Sequence, residues 1–344
     1  MTTHSPFHVL ENHSLKTYNT FGIDAKARYF VSVPDETSLQ QALSATEFRH
    51  APRLILGGGS NVLLTRDFPG LVIRIESTGR RITHHDDEAT YVEAAAGENW
   101  HDFVCWTLAQ GLAGLENLSL IPGSVGASPI QNIGAYGVEM KDTFHELTAV
   151  DIDSGEVRRF DRAACRFAYR DSVFKQELRD RVVITSVVFR LPRTVKLQLE
   201  YGEIRKALSN MNISNPTAVD VSHAVCNIRR RKLPDPAVIG NAGSFFKNPI
   251  IDDKTFQELH RHYPHMPHYP VDDSTVKLSA GWLIEQAGWK GKTFGRAGVH
   301  EQHALVLVNR GDADGAEILA LARAIQDAVQ NQFGIRLEPE PVIV

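Results

Sequence analysis

The sequence predicts an α+β protein with more than one domain. Short aliphatic and β-branched runs beside glycine, such as RLIL (53–56) and GLVIRI (70–75), are typical of strands. Two other stretches, 98–111 and 316–334, carry apolar residues at helical spacing and end at a glycine. The chain has 344 residues, more than one hydrophobic core usually serves, so we expect two or three domains.

The first half of the chain alternates strand and helix signals. Residues 35–37 can begin a helix whose apolar side includes Leu39 and Leu43. Further elements are expected in this order: a solvated turn at 84–88, a strand at 91–97, a helix at 98–111, a hairpin at 147–160 with its turn at 153–155, and a strand at 181–191.

The second half carries a different set of signals. We expect, in order, a Pro- and His-rich loop over 260–270, a helix over 278–288 and a strand over 304–308. The last helix places Ile318, Ala322, Ile325 and Val329 on one apolar face and stops at Gly334.

Bulk composition excludes several classes of protein. The net charge is −4, which gives no electrostatic support for nucleic-acid binding. The three cysteines, Cys105, Cys165 and Cys226, are far apart and form no CxxC pair, which fits a reducing compartment. The N-terminus has no apolar signal region, and the chain has no 18-residue apolar run. We therefore expect a cytoplasmic protein that does not span a membrane, and we expect a monomer because nothing demands an oligomer.

The stretch IPGSVGASPIQNIGAYG (121–137) is the most unusual part of the sequence. It contains four glycines and two prolines and no charged residue, so it is neither one helix nor an ordinary strand. A solvent-exposed loop is one interpretation. However, such loops usually carry Lys, Glu or Asp, and the alternative is backbone that lies against something flat or large.

Two further motifs leave a phosphate role open. LGGGSN (56–61) lacks the third glycine of a dinucleotide-binding fingerprint, because Val62 stands there. Its adjacent amides can still form an anion nest, and a plain tight turn is the alternative. The basic run RRRK (229–232) is either a solvated surface or a diphosphate site.

Two motifs carry residue types that can bind a metal or act as a nucleophile, but neither motif is complete for that role. The histidines of HRHYPHMPHYP (260–270) lie between prolines with no Cys or carboxylate to complete a ligand set, so we expect a polar loop and no metal. Ser244 in GNAGSFFKNP lacks a G-x-S-x-G elbow and is not predicted to be a hydrolase nucleophile. It is either a loop residue or a proton donor packed against a flat ring.

Six motifs in a fixed order together resemble one known family. They are NTFGI (19–23), LGGGSNVLL (56–64), GLENLSLIPGSVGASPIQNIGAYG (114–137), CRFAYRDSVFK (165–175), GNAGSFFKNP (240–249) and LEPE (337–340). Over roughly residues 12–344 the chain closely resembles the UDP-N-acetylenolpyruvoylglucosamine reductase family, the longer of its two subtypes. The same two motifs near the C-terminus, GNAGSFFKNP and LEPE, argue against other flavin oxidases of the superfamily.

The resemblance implies a three-part α+β flavoprotein. Its FAD-binding domain would be of the p-cresol methylhydroxylase (vanillyl-alcohol oxidase) type, followed by a C-terminal substrate-binding domain. The implied parts are 1–70 joined by 335–344, then 71–215, then 216–334. The stretch 121–137 would lie along the flavin and its pyrophosphate.

The resemblance also implies non-covalent FAD. Covalent relatives in the superfamily attach flavin to a histidine in a Gly-Gly-His turn, and here Ser60 follows Gly59. The implied cofactor contacts are Gly57, Gly58, Gly59, Ser60, Asn61, Ile121, Pro122, Gly123, Ser124, Gly126, Ala127, Ile130, Gly134, Ile184 and Arg229.

The implied reaction belongs to the synthesis of peptidoglycan precursors. NADPH reduces FAD and leaves, and UDP-N-acetylglucosamine enolpyruvate takes its place. Hydride passes from flavin N5 to C3 of the enol ether, and a proton passes to C2, which gives UDP-N-acetylmuramate.

Each catalytic role is implied by a motif position. Ser244 would donate the proton, Arg170 would bind and polarise the carboxylate, and Glu340 would support this, with Glu338 as its competitor. The implied substrate contacts are Tyr201, which would cover the substrate, with Lys232, Asn248, Tyr269 and His303.

Overall fold

The structure is a computed structural model, and it describes residues 8–201 and 203–344. The helices of this part are α1 (Glu36–Ser44), α2 (Trp100–Ala109), α3 (Arg162–Cys165), α4 (Ile204–Asn210), α5 (Ala218–Lys232), α6 (Asp253–His262), α7 (Ala280–Gln286) and α8 (Gly315–Phe333).

The strands of the described residues are short and number from the N-terminus. They are β1 (Leu10–Ser14), β2 (Lys26–Val33), β3 (Arg53–Leu56), β4 (Val62–Leu63), β5 (Phe68–Ile75), β6 (Arg80–His85), β7 (Ala89–Ala95), β8 (Gly134–Ala135), β9 (Val138–Glu139), β10 (Phe144–Asp151), β11 (Val157–Asp161), β12 (Val182–Pro192), β13 (Gly240–Ser244), β14 (Ile250–Asp252), β15 (His268–Pro270), β16 (Thr275–Leu278), β17 (Thr293–Phe294), β18 (Ala297–Val299), β19 (Val306–Asn309) and β20 (Val342–Ile343).

The chain divides into two compact units, each made of separate segments. The first unit comprises Met1–His13, Lys26–Gly59 and Phe68–Arg231. The second unit comprises Ser14–Ala25, Ser60–Asp67 and Lys232–Val344. Each unit therefore contains parts of the chain that are distant in sequence.

The first unit contains a four-stranded sheet with strand order β1-β2-β5-β3. Strands β2, β5 and β3 are parallel, and α1 connects two of them, as the alternating signals predict. Asp35 caps α1 by accepting the N–H of Ser38 at 2.7 Å. Gly70 is required in β5, because a Cβ there would lie 1.9 Å from the carbonyl oxygen of Pro52.

An antiparallel five-stranded sheet completes the framework of the first unit. Its order is β11-β10-β12-β7-β6, and β10–β11 is the predicted hairpin. The side chains of Trp100 and Phe103 from α2 are fully buried against this sheet, where both rings contact Phe189 of β12. A separate apolar cluster joins α4 to α5 through Ile204 and Val225.

The second unit is built on an antiparallel sheet with order β13-β19-β18-β17. The long α8 packs on it with an apolar face, and Gly334 ends the helix in the left-handed conformation. The four predicted positions of that face are all buried, and Leu321 and Phe333 join them. Residues 60–67 belong to this unit because β4 pairs with β20 in parallel.

The structure corrects two predictions in the second half. The Pro- and His-rich loop was expected over 260–270, but His260 and His262 lie in α6, and β15 occupies the end of the segment. The helix expected from residue 278 begins only at Ala280, because Leu278 is the last residue of β16 and Ser279 is the N-cap. Among the described residues, no helix is long and apolar enough to cross a membrane.

Candidate functional site

Two glycine-rich turns meet backbone against backbone in the first unit. A Cβ on Gly58 would lie 2.7 Å from the Cα of Gly123, and one on Gly57 would lie 2.5 Å from the Oγ of Ser124. Contacts under 3 Å leave no room for a side chain at either glycine. Gly57 and Gly58 are therefore packed directly against Gly123 and Ser124 of the stretch 121–137.

Backbone hydrogen bonds anchor the stretch 121–137 to the five-stranded sheet and α2. The N–H of Trp100 donates to Gly123, and the N–H of Gly126 donates to Ala96. Val125 and Asn132 are completely buried. The solvent-exposed interpretation of this stretch is therefore wrong: its charge-free composition reflects close packing.

Backbone donors remain available at the first glycine turn. Within residues 8–201 and 203–344, the amides of Gly57, Gly58 and Gly59 donate to no protein acceptor, although Gly59 is buried. Gly59 also has a left-handed φ of 62°. Consecutive amides in such a turn form a nest for an anion. This observation fits a pyrophosphate group better than a plain tight turn.

The basic run 229–232 has two parts with different environments. Arg229 is half-buried at the end of α5, and its Nε donates to the carbonyl oxygen of Leu120 at 3.1 Å. Burial lowers the pKa of the Arg229 guanidinium. The next residues, Arg230 to Lys232, are exposed. A purely solvated surface is therefore excluded for Arg229, which holds the residue just before Ile121, while both interpretations stay open for 230–232.

Arg170 is held in an uncommon conformation beside the glycine stretch. Its φ is 53°, which non-glycine residues rarely adopt. Its Nη2 donates to the carbonyl oxygen of Gly134 at 2.7 Å, and a Cβ on Gly134 would lie 2.9 Å from its Nη1. The hydroxyl of Ser172 donates to Ile130 at 2.6 Å. Arg170 thus contacts one implied cofactor residue, Gly134, and its neighbour Ser172 contacts a second, Ile130.

Two further implied residues lie in the first unit. The ring of Tyr201 is half exposed, and its Cβ is 3.3 Å from the position of a Cβ on Gly137. It therefore lies over the last residue of the glycine stretch. Ile184 is buried in β12 and packs in the core of the five-stranded sheet.

Ser244 lies at the end of an irregular strand in the second unit. It pairs with Val306, and the register of β13 shifts between Asn241 and Ser244. Gly243 has a φ of 68°, and its N–H donates to the side chain of Asn241. The bulge ends with Ser244 half-buried, ahead of the buried rings of Phe245 and Phe246. Ser244 is therefore a strand residue rather than a loop residue.

The two candidate glutamates of the C-terminal segment have different surroundings. The carboxylate of Glu338 forms an ion pair with Lys247 at 3.1 Å, and its side chain is 72% exposed. Glu340 is half-buried, and its N–H donates to the carbonyl oxygen of Phe245 at 2.8 Å. Glu340 is thus held beside Ser244, and Glu338 has another partner.

The C-terminal segment also reaches the second half of the glycine turn. The side chain of Asn61 donates to the carbonyl oxygen of Glu340 at 3.3 Å. The N–H of Val342 donates to Asn61 at 3.0 Å. Ser60 and Asn61 are half-buried. The end of the chain therefore holds Asn61, an implied cofactor contact, beside the backbone of Glu340.

The remaining substrate candidates lie on separate elements of the second unit. The side-chain oxygen of Asn248 accepts the N–H of Ala280 at the start of α7. Tyr269 is exposed on β15, with the Lys277 ammonium 5.9 Å from its ring centre. His303 is half-buried and its carbonyl oxygen accepts the N–H of Val306, which pairs with Ser244. Lys232 is exposed at the end of α5.

The described residues contain neither a cluster of metal-ligating side chains nor a reactive thiol. No group of three or more His, Cys, Asp or Glu side chains there could hold a metal ion. Burial raises the pKa of the Cys105 and Cys226 thiols, and it raises the pKa of Cys165 to about 12. None of the three is a thiolate at neutral pH.

One buried residue of the site escapes prediction from the sequence. Asn132 is fully buried and left-handed at φ 45°, and its side chain donates to Glu139 and Ala168 and accepts from the N–H of Lys141. It therefore ties the glycine stretch to the loop of Arg170. The signal for it was an asparagine in an uncharged stretch, because asparagine tolerates the left-handed conformation.

Comparison with known proteins first defines the class. Residues 27–161 match the family profile described as FAD binding domain, and residues 235–344 match that of the UDP-N-acetylenolpyruvoylglucosamine reductase C-terminal domain. With the observed fold, these matches define a multi-part α+β flavoprotein that binds FAD.

Curated relatives then give the family. The chain is 56% identical over 331 residues to UDP-N-acetylenolpyruvoylglucosamine reductase of Pseudomonas aeruginosa, covering 96% of this chain and 97% of the relative. It is 54% identical over 340 residues to the reductase of Burkholderia multivorans, covering 98% and 97%. The chain belongs to the UDP-N-acetylenolpyruvoylglucosamine reductase family and is an oxidoreductase.

A solved structure shares the fold. The crystal structure of UDP-N-acetylenolpyruvylglucosamine reductase from Thermus caldophilus superposes with a TM-score of 0.66 at 24% identity, and the match covers 98% of each chain. The α+β flavoprotein fold predicted from the sequence is thereby confirmed.

Proposed function

We propose that this protein reduces UDP-N-acetylglucosamine enolpyruvate to UDP-N-acetylmuramate at the expense of NADPH, in the cytoplasm and as a monomer. Its relatives align with this chain over nearly their whole length and bear the name of this reductase. The observation that carries the proposal is the position of Glu340, whose backbone is bonded to the residue after Ser244. This backbone bond keeps the segment that carries Glu340 next to the segment that carries Ser244, which supports a shared role in proton transfer to the substrate.

Non-covalent FAD is the proposed cofactor, and it would supply the hydride when bound. The glycine turn 57–59 and the stretch 121–127 would hold it, because their backbones have no side chains in the way and the turn offers amide donors. Arg229 would support the same surface through Leu120. Ser60 offers no imidazole for a covalent link.

Arg170 would bind the carboxylate of the enolpyruvyl group. Its guanidinium donates to Gly134, which fixes the plane of a group that can present a bidentate fork to a carboxylate. Binding there draws electron density from the double bond, so that C3 becomes a better hydride acceptor. The strained backbone at φ 53° fits a residue whose direction is functionally constrained.

Ser244 would then protonate C2. A hydroxyl is a weak acid, but a carbanionic C2 is basic enough to take its proton. The bulge at Gly243 sets the orientation of Ser244 at the end of β13. The hydrogen bond from the Glu340 N–H to Phe245 holds the next residue in place. Glu340 would support this step, as its position in the LEPE motif implies.

The nucleotide portion of the substrate would be bound by residues of several elements. Lys232 would contact the diphosphate, Asn248 and Tyr269 would hold the nucleotide-sugar, and Tyr201 would cover the bound substrate. His303 is a further proposed contact. On this proposal residues 216–334 form the substrate domain, and 1–70 with 335–344 and 71–215 form the FAD-binding parts.

The deciding experiment separates the two half-reactions without oxygen. The purified yellow protein is reduced with NADPH and then mixed with the enolpyruvyl substrate. We expect bleaching of the flavin followed by reoxidation and formation of the lactyl ether. Acid precipitation of the same sample should leave all flavin in solution. A protein that NADPH reduces but that the substrate does not reoxidise contradicts the proposed substrate.

A further inference from the structure

One peptide group just before the glycine stretch is held at both of its ends. The N–H of Leu120 donates to Nδ1 of His101 at 3.0 Å, and its carbonyl oxygen accepts from Nε of Arg229 at 3.1 Å. The three residues come from α2, the loop before 121–137, and α5. They are 19 and 109 positions apart in sequence.

Leu120 needs this support because its backbone is strained. Its φ is 59°, a left-handed conformation that is energetically unfavourable for a non-glycine residue. A conformation of this kind persists only where its surroundings determine it. Leu120 leads directly into Ile121, Pro122 and Gly123, so its conformation sets the direction in which the implied flavin contacts begin.

The contact at His101 requires a neutral imidazole. Nδ1 can accept the Leu120 N–H only when it carries no proton, and the neutral ring then carries its proton on Nε2. The imidazolium has a donor at each nitrogen, so it would point an N–H at the N–H of Leu120. Protonation of His101 therefore breaks the contact rather than weakening it.

We propose that His101 is a positioning residue for flavin binding, which fixes the strained Leu120 peptide through its unprotonated Nδ1 and releases it when the ring is protonated. The inference rests on the proposed flavin function and extends it with a residue that makes no proposed contact with flavin or substrate. Acting through Leu120, the ring would make flavin retention sensitive to acid.

The surroundings of His101 favour the neutral ring at physiological pH. Burial lowers its pKa, the cations Arg229 and Arg230 of α5 lower it further, and only Asp102 on the same helix raises it. The thiol of Cys105, one turn along α2, lies 3.7 Å from Nε2. Because the folded pKa lies below the ordinary value of about 6.5, the contact is complete above that pH and is lost as pH falls through the lowered pKa.

Three variants of the holoenzyme test the proposal by the rate of flavin release, followed by the fluorescence of free FAD between pH 5 and 8. His101→Asn places a carbonyl oxygen near the position of Nδ1 and cannot titrate. His101→Phe keeps a ring without an acceptor. Cys105→Ser, which changes the thiol beside the ring and keeps the imidazole, is the matched control.

We expect the wild type and Cys105→Ser to release flavin faster as pH falls below about 6.5. His101→Asn should release it slowly across the range, and His101→Phe should release it about tenfold faster than wild type at pH 7.5, because the partly buried N–H of Leu120 loses its partner. An unchanged rate in His101→Phe, or an acid profile in His101→Asn like that of wild type, overturns the proposal.

Hydrogen exchange on the wild type tests the hydrogen bond between the Leu120 N–H and His101 without any variant. The Leu120 amide should be protected at pH 7.5 and lose protection at pH 5, after correction for the intrinsic rate. Equal protection at both pH values overturns the proposal even if the variants fail to fold. This readout needs no flavin. A protein that binds no flavin would contradict the proposed function, and the Leu120–His101 hydrogen bond would still be tested by exchange.

Discussion

The backbone N–H of Glu340 donates to the carbonyl oxygen of Phe245 at 2.8 Å. Phe245 is buried and directly follows Ser244. A bridge between Phe246 and Pro339 and the bond from the Lys247 N–H to Glu338 extend the pairing. The segment 338–340 therefore pairs with the segment 245–247 that directly follows Ser244, although about a hundred positions separate the two motifs in sequence.

The two glutamates of the segment 338–340 give a matched pair of variants. Glu340→Gln removes a charge beside Ser244, and we expect the rate of flavin reoxidation by the enolpyruvyl substrate to fall by about 10²-fold or more. Glu338→Gln removes a charge that is largely exposed and paired with Lys247, so activity should change less than twofold. Both rates are measured by stopped flow. A larger loss in Glu338→Gln would assign the role to Glu338.

Lys232 offers a test of diphosphate binding. Because both NADPH and the UDP-sugar carry a diphosphate, Lys232→Ala should raise KM for both ligands by about tenfold or more, the expected loss for a hydrogen bond to a charged group. Steady-state kinetics with each ligand varied in turn give the two values. Lys254→Ala, an exposed lysine on α6, is the control and should change neither KM. Unchanged KM values in Lys232→Ala would return this lysine to the solvated surface.

Local patterns were sufficient to predict the elements whose partners are near in sequence. The Asp35 cap of α1, the β10–β11 hairpin and the apolar face of α8 depend on spacing and capping within one segment. The prolines at 264 and 267 suggested a loop through the whole of 260–270. Yet α6 runs to His262, because Asp252 caps it and Phe256 anchors it, and proline restricts only the residues next to it.

The rest of the site depends on contacts that no local pattern contains. The motifs indicated Ser244 and Glu340, but only the fold shows that the segment of one is bonded to the segment of the other. The left-handed Leu120 and its hydrogen bond to His101 link residues on different elements. A leucine carries no sequence signal for that conformation, since it usually avoids it.

The contact between the two glycine turns predicts the effect of a single methyl group. Gly58→Ala would place a Cβ 2.7 Å from the backbone of Gly123, and backbone cannot move aside as a side chain does. We expect the free energy of unfolding to fall by about 1–3 kcal/mol, as in other overpacked sites, and flavin to dissociate faster. Denaturant titration and flavin fluorescence measure the two effects.

A control for this substitution lies in α7. Gly281→Ala would meet side chains no nearer than 3.6 Å in a helix where alanine is the better residue, so stability should be equal or higher. If Gly58→Ala matched Gly281→Ala in both stability and flavin retention, the two turns would not be packed against each other as described.

Ser244 carries the prediction that separates a proton donor from a packing residue. In the proposed reaction the hydride and the proton have different sources, so the two half-reactions should respond differently. Ser244→Ala should fold, bind FAD and be reduced by NADPH at a near-normal rate, because that step needs no proton at C2. Reoxidation by the enolpyruvyl substrate should slow by about 10²–10⁴-fold, the range for losing a positioned general acid.

Ser244→Cys provides the chemical control, since a thiol of similar size can also donate a proton. It should recover part of the reoxidation rate that Ser244→Ala loses. Stopped-flow traces of both half-reactions decide between the alternatives. Equal slowing of both steps in Ser244→Ala would make Ser244 a packing residue beside the buried rings of Phe245 and Phe246. Slowing of neither step would mean that the proton comes from another group, with Glu340 next to be tested because its backbone is bonded to the residue after Ser244.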